Sequence, residues 1–498
     1  MFLVAPYGAA ARYLLRTEIL DSLIAAGTRV IALVPNPRER YLREELGAKG
    51  VELDLLQVPD RPTGRVRSGL GYLRQNTLGG RLPKTLALRA EVADRGLRRS
   101  HPLLSRLLNG LLALLRRSAA LRRGLIRAEA ALGPRDLHRE LFERHRPSLV
   151  VTASPGWFYT DAVVLGEAAR RGIRTVAGVV GWDNPTSKGY RGASPDLTLA
   201  WSRRMVNELV EHHDLDPLRI SVTGVPQFDM YHRPTELYSR AELFSRLGLD
   251  PERRLVVFAG RSPTTYAHNL TVAEVLAQAS ENGLLDEEAQ LVVRPHPINF
   301  RADHEFEPSH FLALADRFAH VVVDLPVVAS AEMSCDVPES DYRKLASLLV
   351  HCDVLVNVFS TTTLEAFLVD RPVVLVSDET GSADTDTREA PEARAFRLDT
   401  HMEPLVKTGA AAVAHSFDQL VPAVGAALRD PQRGRAARRR IVEQECGPLD
   451  GRAGRRAGRL ILEQLGQMPE RWPADTGDLT AHEGARTEPR PLQRSRPL

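Results

Sequence analysis

The chain has 498 residues, a length that suits two large domains better than one. With 43% hydrophobic and 26% charged residues it has a globular composition, and its formal net charge of +3 excludes nucleic-acid binding driven by overall charge. The three cysteines, Cys335, Cys352 and Cys446, have neither metal-ligand spacing nor the density of a disulfide framework, which predicts a reducing, cytoplasmic location.

The chain begins with a strand–helix–strand pattern. An apolar strand at 2–5 leads through a turn at 6–12 into a helix to about Ala26, and a second strand covers 29–34. This order predicts a doubly wound parallel sheet. The turn holds one glycine and lacks the G-x-G-x-x-G pattern, which disfavours a dinucleotide cofactor. Because the strand directly follows Met1 and no stretch reaches about 18 apolar residues, neither a signal peptide nor a membrane-spanning helix is expected.

The stretch 60–146, which follows a strand at 51–58, is basic and rich in leucine. Basic residues outnumber acidic ones here by roughly three to one. An apolar stripe and a run of arginines share one helical pattern: Leu103, Leu104, Leu107, Leu108, Leu111, Leu112, Leu114 and Leu115, then Arg116, Arg117, Arg122, Arg123 and Arg127. One interpretation is an amphipathic surface that rests on an anionic membrane or holds an anionic acceptor. The other is a helical insertion that packs its stripe on the sheet and leaves a solvated basic face.

A polar loop follows the later strands of the first half. Strands at 147–152 and 175–180 flank a helix at 161–171, and the loop 181–189 then gathers Asp183, Asn184 and Lys188 at the carboxyl end of a strand. Open α/β sheets bind ligands at that edge. Asp183 is a candidate base, Lys188 a candidate contact for an anionic group, and Asn184 a candidate to orient either. An ordinary Pro- and Gly-containing turn is the alternative.

The second half restarts the strand–helix pattern after a linker at 231–236. Ser239 and Glu242 have the spacing of a capping box. A strong strand at 254–259 ends in Gly260-Arg261, where the backbone can approach a phosphate and the guanidinium can bind its oxygens. The next strand, 290–293, ends in Arg294-Pro295-His296-Pro297, and the two prolines stiffen the loop that carries both cations. A plain surface arginine and histidine are the alternative.

The segment 353–376 reads as strand, turn, helix and strand. Its turn holds Ser360, Thr361, Thr362 and Thr363 where a helix begins, and Glu365 stands one turn further on. Hydroxyls and free N–H groups at a helix start favour an anion, and Glu365 could accept hydrogen bonds from a ribose. An ordinary capped helix is the alternative reading.

The remaining chain predicts a polar loop at 378–388, helices at 418–429, 435–444 and 453–465, and a disordered tail. The predicted domains are an N-terminal Rossmann-like acceptor domain at 1–233 with the basic helical insertion 60–146, a Rossmann-like nucleotide-donor domain at 234–446, a C-terminal helix at 447–467 and the tail at 468–498.

Two nucleotide-fold halves, a linker near residue 235 and a last helix after Asp450-Gly451-Arg452 resemble the GT-B glycosyltransferases. Within that superfamily the chain is similar to bacterial surface-polymer transferases, including the CDP-glycerol glycerophosphotransferase-like group. The motifs that carry the resemblance are Trp182-Asp183-Asn184 to Lys188-Gly189, Thr223-Gly224 to Asp229, Arg294-Pro295-His296-Pro297, and Ser360 to Ala366 with Arg371-Pro372. The expected fold is therefore α/β, with two Rossmann-like doubly wound domains facing each other across a cleft.

The resemblance also implies roles for these residues. The second domain would bind the donor: the phosphates by Ser360, Thr361 and Thr362, the pyrophosphate by Arg261 and Arg294, and the ribose by Glu365. His296 would lie near the reacting group. The first domain would bind the acceptor, with Asp183 as the base and Asn184 and Lys188 as contacts.

Two departures from related families bear on the reaction. UDP-sugar 2-epimerases carry an acidic-Ser-Gly-Gly turn where this chain has Ser-Thr-Thr-Thr, which disfavours epimerisation. Position 357 is Asn, so the paired-glutamate motif of many retaining transferases is missing.

We therefore expect a metal-independent glycosyltransferase that moves a sugar from a nucleotide-activated donor to a cell-envelope glycan or lipid-linked acceptor. A CDP-glycerol-type glycerophosphotransferase and a non-catalytic glycan- or partner-binding protein are the alternatives. No cofactor beyond the donor and no nucleic-acid partner are expected. The predicted location is the cytoplasm, with contact to the inner membrane face through 60–146 as one possibility.

Overall fold

Two parallel sheets form the centres of two halves of the chain. The computed structural model describes residues 1–60, 64–263, 266–285, 289–300, 308–330, 332–377 and 400–467. The predicted loop at 378–388 and the predicted tail at 468–498 lie outside these residues. The strands of the two sheets fall on either side of the predicted linker 231–236, while the domain boundaries themselves stay a prediction.

The first sheet contains seven described strands in the order β3-β2-β1-β4-β5-β6-β7. The strands are β1 (Phe2–Val4), β2 (Ile31–Val34), β3 (Glu52–Leu55), β4 (Leu149–Thr152), β5 (Arg174–Ala177), β6 (Leu197–Ala200) and β7 (Ile220–Val222). The helices of this half are α1 (Gly8–Leu15), α2 (Glu18–Ala25), α3 (Arg40–Gly47), α4 (Arg65–Gln75), α5 (Lys84–Ser100), α6 (Pro102–Arg117), α7 (Ala119–Leu132), α8 (Arg139–His145), α9 (Tyr159–Arg170), α10 (Asn184–Ser187) and α11 (Arg203–His213). The predicted basic helical insertion is confirmed as α4 to α8, between β3 and β4.

The second sheet contains six described strands in the order β10-β9-β8-β11-β12-β13. The strands are β8 (Arg254–Ala259), β9 (Ala289–Arg294), β10 (Val321–Val323), β11 (Val354–Asn357), β12 (Val373–Val376) and β13 (Ala412–Ala414). The helices are α12 (Arg240–Leu247), α13 (Asn269–Glu281), α14 (Pro308–Arg317), α15 (Glu339–His351), α16 (Thr362–Leu368), α17 (Met402–Lys407), α18 (Phe417–Arg429), α19 (Arg435–Cys446) and α20 (Ala453–Leu465). All pairings in both sheets are parallel, as predicted.

The core strands are continuous apolar runs because helices cover both faces of each sheet. In β8 and β11 the register pairs Leu355 with Val257 and Val356 with Phe258, and all four side chains are fully buried. The topology reverses direction between β8 and β11 in this sheet and between β1 and β4 in the first. At such a reversal the loops on neighbouring strands diverge and leave a crevice, where ligands of open α/β sheets bind.

Capping residues determine where several helices begin and end. The predicted capping box is confirmed, because Ser239 Oγ accepts from Glu242 N–H and the Glu242 carboxylate accepts from Ser239 N–H. The single helix predicted to Ala26 is wrong: Thr17 caps a new helix, α2. The single helical pattern through the arginine run is also wrong, because Ser118 ends α6 and accepts from Leu121 N–H at the start of α7.

The last helix returns to the first half. Helix α20 packs on α2 so closely that a Cβ at Gly458 would lie 2.6 Å from Ser22 Cβ. Its apolar side chains Ile461 and Leu462 belong to the core of the first sheet. Asp229 fixes the start of α20 by accepting hydrogen bonds from two main-chain N–H groups at its first two residues, at 3.0 and 2.7 Å.

A segment of the second half, residues 332–337, also reaches the first half; we call it the clasp. Gly8 N–H donates to Ser334 O at 3.0 Å, and Met333 is buried in the first-half core. Arg16 Nη1 donates to Asp336 Oδ1 at 2.6 Å, and Tyr41 also donates to Asp336. The clasp therefore occupies the carboxyl end of β1.

Candidate active site at the junction of the two halves

The reversal point of the second sheet collects the predicted donor residues. Gly260 and Arg261 follow β8, and the turn 358–361 follows the neighbouring strand β11. The two loops touch: Arg261 Nη1 donates to Val358 O at 2.6 Å and to Phe359 O. Asn269 Oδ1 accepts from Arg261 N–H at 2.8 Å, which fixes the other end of that residue. Arg261 thus holds the hydroxyl-bearing turn in place.

The turn itself has an unusual backbone. Phe359 lies in the left-handed region with a φ of 44°, which is costly for a bulky residue and persists only where the surroundings enforce it. The contact from Arg261 to its carbonyl is one such constraint. Strained turns of this kind cluster at binding sites because they present the following residues in a fixed orientation.

The predicted hydroxyls divide into two groups. Ser360, Thr361 and Thr362 line a cavity, and Ser360 Oγ accepts from Thr362 N–H at 3.2 Å. Thr363 is fully buried and exchanges hydrogen bonds with Asn357, so it ties the turn to β11. Helix α16 has seven residues, so its dipole adds little, and the hydroxyls and main-chain N–H groups are the chemistry that this turn offers.

His296 lines the same cavity as a neutral side chain. Burial and the nearby charge of Arg261 lower the pKa of His296 to about 4. Its Nδ1 accepts from Ile298 N–H at 3.1 Å, so in the neutral ring Nε2 carries the proton. At neutral pH this side chain is therefore a hydrogen-bond donor with little tendency to take up a further proton.

Arg294 lies at the cavity, and its charge is already balanced. Its guanidinium donates to Asp324 and Asp341, and all three side chains are buried. Lys344 Nζ lies 3.3 Å from Asp341 Oδ1 and also pairs with Asp324. The resemblance implied that Arg294 binds the pyrophosphate, which stays a prediction; in the structure an ionic network holds Arg294 and stiffens the end of β9.

Glu365 connects the halves. Its Oε2 accepts from Tyr231 Oη at 2.7 Å and from Arg12 Nη2 at 3.3 Å. Arg12 belongs to α1 of the first half and also lies over the ring of Tyr342 at 4.4 Å. The carboxylate predicted to bind a ribose is therefore also an ion-pair partner across the junction.

A cavity of about 350 Å³ lies between the halves. From the second half it is lined by Gly260, Arg294, His296, the hydroxyls of 360–362 and Glu365, and from the first half by Ala9, Arg12, Val180, Trp201, Gln227 and Phe228. Such a volume holds part of a nucleotide-linked donor. Among the described residues, no group of three or more His, Cys, Asp or Glu side chains is arranged to hold a metal ion.

The predicted acceptor residues do not line this cavity. Asp183 precedes the short helix α10, is half-buried, and accepts a hydrogen bond from Ser187 Oγ at 2.8 Å. Asn184 is buried and its Nδ2 has no hydrogen-bond partner in the described residues. Lys188 Nζ lies 5.7 Å from the centre of the Phe158 ring. Val180, three residues before Asp183, does line the cavity, so this loop starts at its edge.

Arg12, Tyr231 and Tyr342 are site residues that sequence reasoning missed. Arg12 was part of the predicted first turn, and Tyr231 opened the predicted linker. Tyr231 lies where the chain crosses between the halves, and Arg12 follows the carboxyl end of the first strand; those placements were the available signals. No motif in the sequence around Tyr342, which lies within α15, marked it as a site residue.

Solved structures with this fold were found by comparison. The MnaA–UDP co-structure from S. aureus matches with a TM-score of 0.53 at 10% identity, covering 96% of this chain and 99% of that chain. A putative UDP-N-acetylglucosamine 2-epimerase from Listeria monocytogenes matches at 0.51 and 12%, covering 94% and 97%. UDP-GlcNAc 2-epimerase from Neisseria meningitidis bound to UDP-GlcNAc matches at 0.51 and 12%, covering 94% and 99%. At these identities the likeness concerns the fold, and it confirms two Rossmann-like domains in a GT-B arrangement. Comparison with the curated proteins finds no match.

The sequence itself matches a family model over residues 182–463, more than half of the 498 residues. The match opens at Trp182, the first residue of the predicted Trp-Asp-Asn motif, and closes within α20. It includes the turn at 360–362, His296, Arg294 and the loop of Asp183. This chain is a transferase that belongs to the family of CDP-glycerol:poly(glycerophosphate) glycerophosphotransferases.

Proposed function

We propose that this chain transfers a glycerophosphate unit from a cytidine-diphosphate-linked glycerol donor to a hydroxyl group of a cell-envelope polymer. The observation that carries this proposal is the cavity at the β8/β11 reversal point, where three hydroxyls and a neutral histidine face residues of the first half. Family membership supports the phosphoryl chemistry over the sugar transfer that the sequence first suggested.

In the proposed reaction, an acceptor oxygen attacks the phosphorus that carries the glycerol. The bond from that phosphorus to the bridging oxygen breaks, and CMP leaves with the bridging oxygen and its electron pair. The acceptor proton passes to a base, for which Asp183 remains the candidate. Fixed hydrogen-bond donors that face the charge developing on the phosphate oxygens lower the barrier.

The donor side would use Ser360, Thr361 and Thr362 for phosphate oxygens. His296, with Nε2–H as a donor and a pKa of about 4, suits a contact to the leaving phosphate. Arg261 would act by holding the turn, and Arg294 by holding the loop of His296, each as a positioning residue. Glu365 would exchange its partner Arg12 for a ribose hydroxyl when the donor enters.

A second candidate is transfer of a sugar from a nucleotide-activated sugar. It is favoured by the likeness of the fold to a structure bound to UDP-GlcNAc and to a co-structure with UDP. A donor screen separates the two: release of CMP from CDP-glycerol supports the proposal, and release of UDP or GDP from sugar donors supports the second candidate. Calorimetry in which no nucleotide binds would favour a non-catalytic protein.

Variants test the site in the same assay. Thr361→Val with Thr362→Val should weaken donor binding, while Asp183→Asn should keep donor binding and lower kcat by roughly 10²-fold or more, the usual contribution of a base. Ser187→Ala is the matched control, because it removes the hydrogen bond to Asp183 and leaves the carboxylate. Unchanged kcat in Asp183→Asn would reject the assigned base, and unchanged donor affinity in the threonine pair would reject the cavity.

A further inference from the structure

The leucines of α6 divide between two faces of the helix. Leu112 and Leu115 are buried in a small cluster with Leu73 and Leu125 of α4 and α7. The other face is open to solvent: Leu103 is 76% exposed, Leu107 60% and Leu114 53%, and Leu104 and Leu111 are exposed as well. Of the eight leucines of the stripe, the insertion thus buries two, half-buries Leu108 and leaves five exposed. We call the five exposed leucines the leucine face.

The spacing makes the leucine face continuous. Positions 103, 107, 111 and 114 recur at three- and four-residue intervals, so their side chains lie along one side of α6. Leu121 of α7 is exposed nearby in sequence. Folded proteins rarely leave so many large apolar side chains together in water, and a surface of this kind marks a site of contact with an apolar partner.

Arginines dominate the charges beside the leucine face, since the acidic residues of the neighbouring α5, Glu91 and Asp94, are paired with Arg95 and Arg98. Arg106 and Arg117 of α6 are exposed on its flank, and Arg99, Arg123 and Arg127 are exposed on the neighbouring helices. Helix α6 contains no acidic residue, and the only one in α7, Glu129, accepts a hydrogen bond from Arg74 at 2.7 Å. A partner that covers the leucines therefore also meets uncompensated positive charge.

A hollow at the end of α6 gathers three arginines, and we call it the arginine notch. It is lined by Gly80, Ala113, Arg116, Arg117 and Arg122. Asp214 holds Arg122 through two hydrogen bonds of 2.7 Å, which balances one charge of the three. Arg116 Nε is buried and has no hydrogen-bond partner in the described residues. Arg116 and Arg117 add two positive charges, and Glu211, whose Oε1 would lie 3.6 Å from a Cβ at Gly80, offsets one of them, so the notch keeps a net positive charge.

We propose that α6 docks on an anionic lipid bilayer, with the leucine face in the apolar boundary and the arginine notch on headgroup phosphates. Apolar side chains bordered by arginines are the composition of helices that lie in the membrane interface. The acyl region covers the leucines and the phosphates neutralise the arginines, so one partner accounts for both features. Among the described residues no helix is long and apolar enough to cross the membrane, so the contact is peripheral. This inference goes beyond the proposed reaction and holds for either donor.

Vesicle flotation of the full chain tests the docking. Vesicles of phosphatidylcholine mixed with phosphatidylglycerol should carry the protein upward, and vesicles of phosphatidylcholine alone should carry far less. Raising the salt concentration should release protein from the mixed vesicles, because the attraction acts between exposed charges. Equal flotation with both lipids, or flotation indifferent to salt, overturns the proposal, as does no flotation at all.

Three variants separate the parts of the surface. The triple variant Leu103→Ser, Leu107→Ser, Leu114→Ser should lower vesicle binding by at least about tenfold, since each substitution removes a large apolar side chain that the bilayer would cover. The double variant Arg106→Gln, Arg117→Gln should lower binding to anionic vesicles by roughly tenfold, because each basic residue near the surface contributes several-fold. Leu218→Ser with Leu284→Ser is the matched control: both leucines are exposed, at 91% and 63%, and both lie outside the insertion.

Thermal unfolding of each variant tests whether the fold is intact. We expect unfolding midpoints close to that of the wild type, because all substituted residues are exposed. Light scattering without vesicles measures the oligomeric state. It tests the alternative that a second copy of the chain, and not a bilayer, covers the leucine face. A wild-type dimer that the triple variant abolishes, together with flotation unchanged by the triple variant, assigns the surface to self-association and overturns membrane docking.

Discussion

The two sheets reverse direction at equivalent points, yet the two crevices differ in what fills them. At the β8/β11 crevice of the second half, Arg261 joins the two loops, Asn269 fixes Arg261, and a cavity remains. At the β1 end of the first half, the clasp fills the space, and Gly8 lies against its backbone. The shared topology thus gives one open crevice and one that the other half of the chain occupies.

This difference shows that strand order indicates where a ligand site can form, and that the loops decide whether it does. In the second half the polar groups face a cavity. In the first half the equivalent groups bind the clasp, so they fix the relative position of the halves. Three predictions separate these roles, one for the open crevice and two for the junction.

The largest effect should come from Arg294→Ala. The change leaves Asp324 and Asp341 buried with only Lys344 to balance them, and breaking a buried ion pair from one side costs about 3 kcal/mol or more of unfolding free energy. Urea unfolding of the wild type and the variant gives the difference.

Arg439→Ala is the control for Arg294→Ala. Arg439 forms an exposed pair with Glu443 in α19, and such pairs contribute at most about 1 kcal/mol. If Arg294→Ala keeps wild-type stability and only weakens donor binding, Arg294 is a free ligand-binding cation and the ionic network has no structural role.

The next effect should come from Gly8→Ala at the filled crevice. A Cβ at Gly8 would lie 2.4 Å from main-chain atoms of Cys335 and Asp336, and the clasp must shift to admit it. Overpacking of this kind destabilises a protein by about 1–3 kcal/mol. Calorimetric unfolding would measure the loss.

Gly124→Ala is the matched control for Gly8→Ala. A Cβ at Gly124, inside α7, meets nothing within 4 Å, and there alanine should stabilise the helix by about 0.5–1 kcal/mol. If alanine raises the free energy of unfolding equally at both positions, the clasp does not pack closely against Gly8.

The smallest effect concerns pH at a second junction, where His401 meets the first half. His401 lies 3.5 Å from Glu208 of α11 and 3.6 Å from Glu445 of α19, with Arg204 beside them and Trp182 at 5.1 Å between ring centres. Burial lowers the pKa of His401, but the nearby carboxylates of Glu445 and Glu208 outweigh it and raise the pKa above its ordinary value. Its contribution to stability is therefore complete below its ordinary pKa of 6.5 and falls as pH rises through the raised value.

Unfolding midpoints measured across this pH range should fall in the wild type and fall less in His401→Gln. Burial also raises the pKa of Asp161 to about 7 and that of Asp229 to about 6. Ionising these buried carboxyls also makes the folded protein less stable as pH rises. Only the difference between the two proteins therefore reports on His401. Parallel pH profiles would show that the protonated ring does not stabilise the junction.

Local patterns predicted much of the fold. The strands at 254–259 and 373–376 and the helix at 453–465 have the predicted bounds. Short continuous apolar runs predict buried strands, and apolar residues at helical spacing after a Gly-containing turn predict a helix. The sequence analysis missed the break between α6 and α7 at Ser118. A single capping residue within a long helical pattern shifts the spacing of the apolar residues by only one position.

The partners of the site residues could not be predicted in this way. Asp324 and Asp341 lie 30 and 47 residues from Arg294, and Tyr231 lies 134 residues from Glu365. No local pattern encodes such pairs. The sequence therefore found the donor residues by their chemistry and could not tell which of them another charge already engages. It also could not show that the predicted acceptor loop lies beside the cavity instead of lining it.

The position of α20 has a consequence for how the protein is made. Its side chains Ile461 and Leu462 complete the core around β1, although the ribosome synthesises them more than 400 residues later. Until then Ile19 and Leu20 of α2 lack that cover, so the nascent first half emerges with an unfinished apolar surface. A recombinant fragment that stops before α20 should accordingly aggregate, and adding the helix back as a separate peptide should restore its solubility.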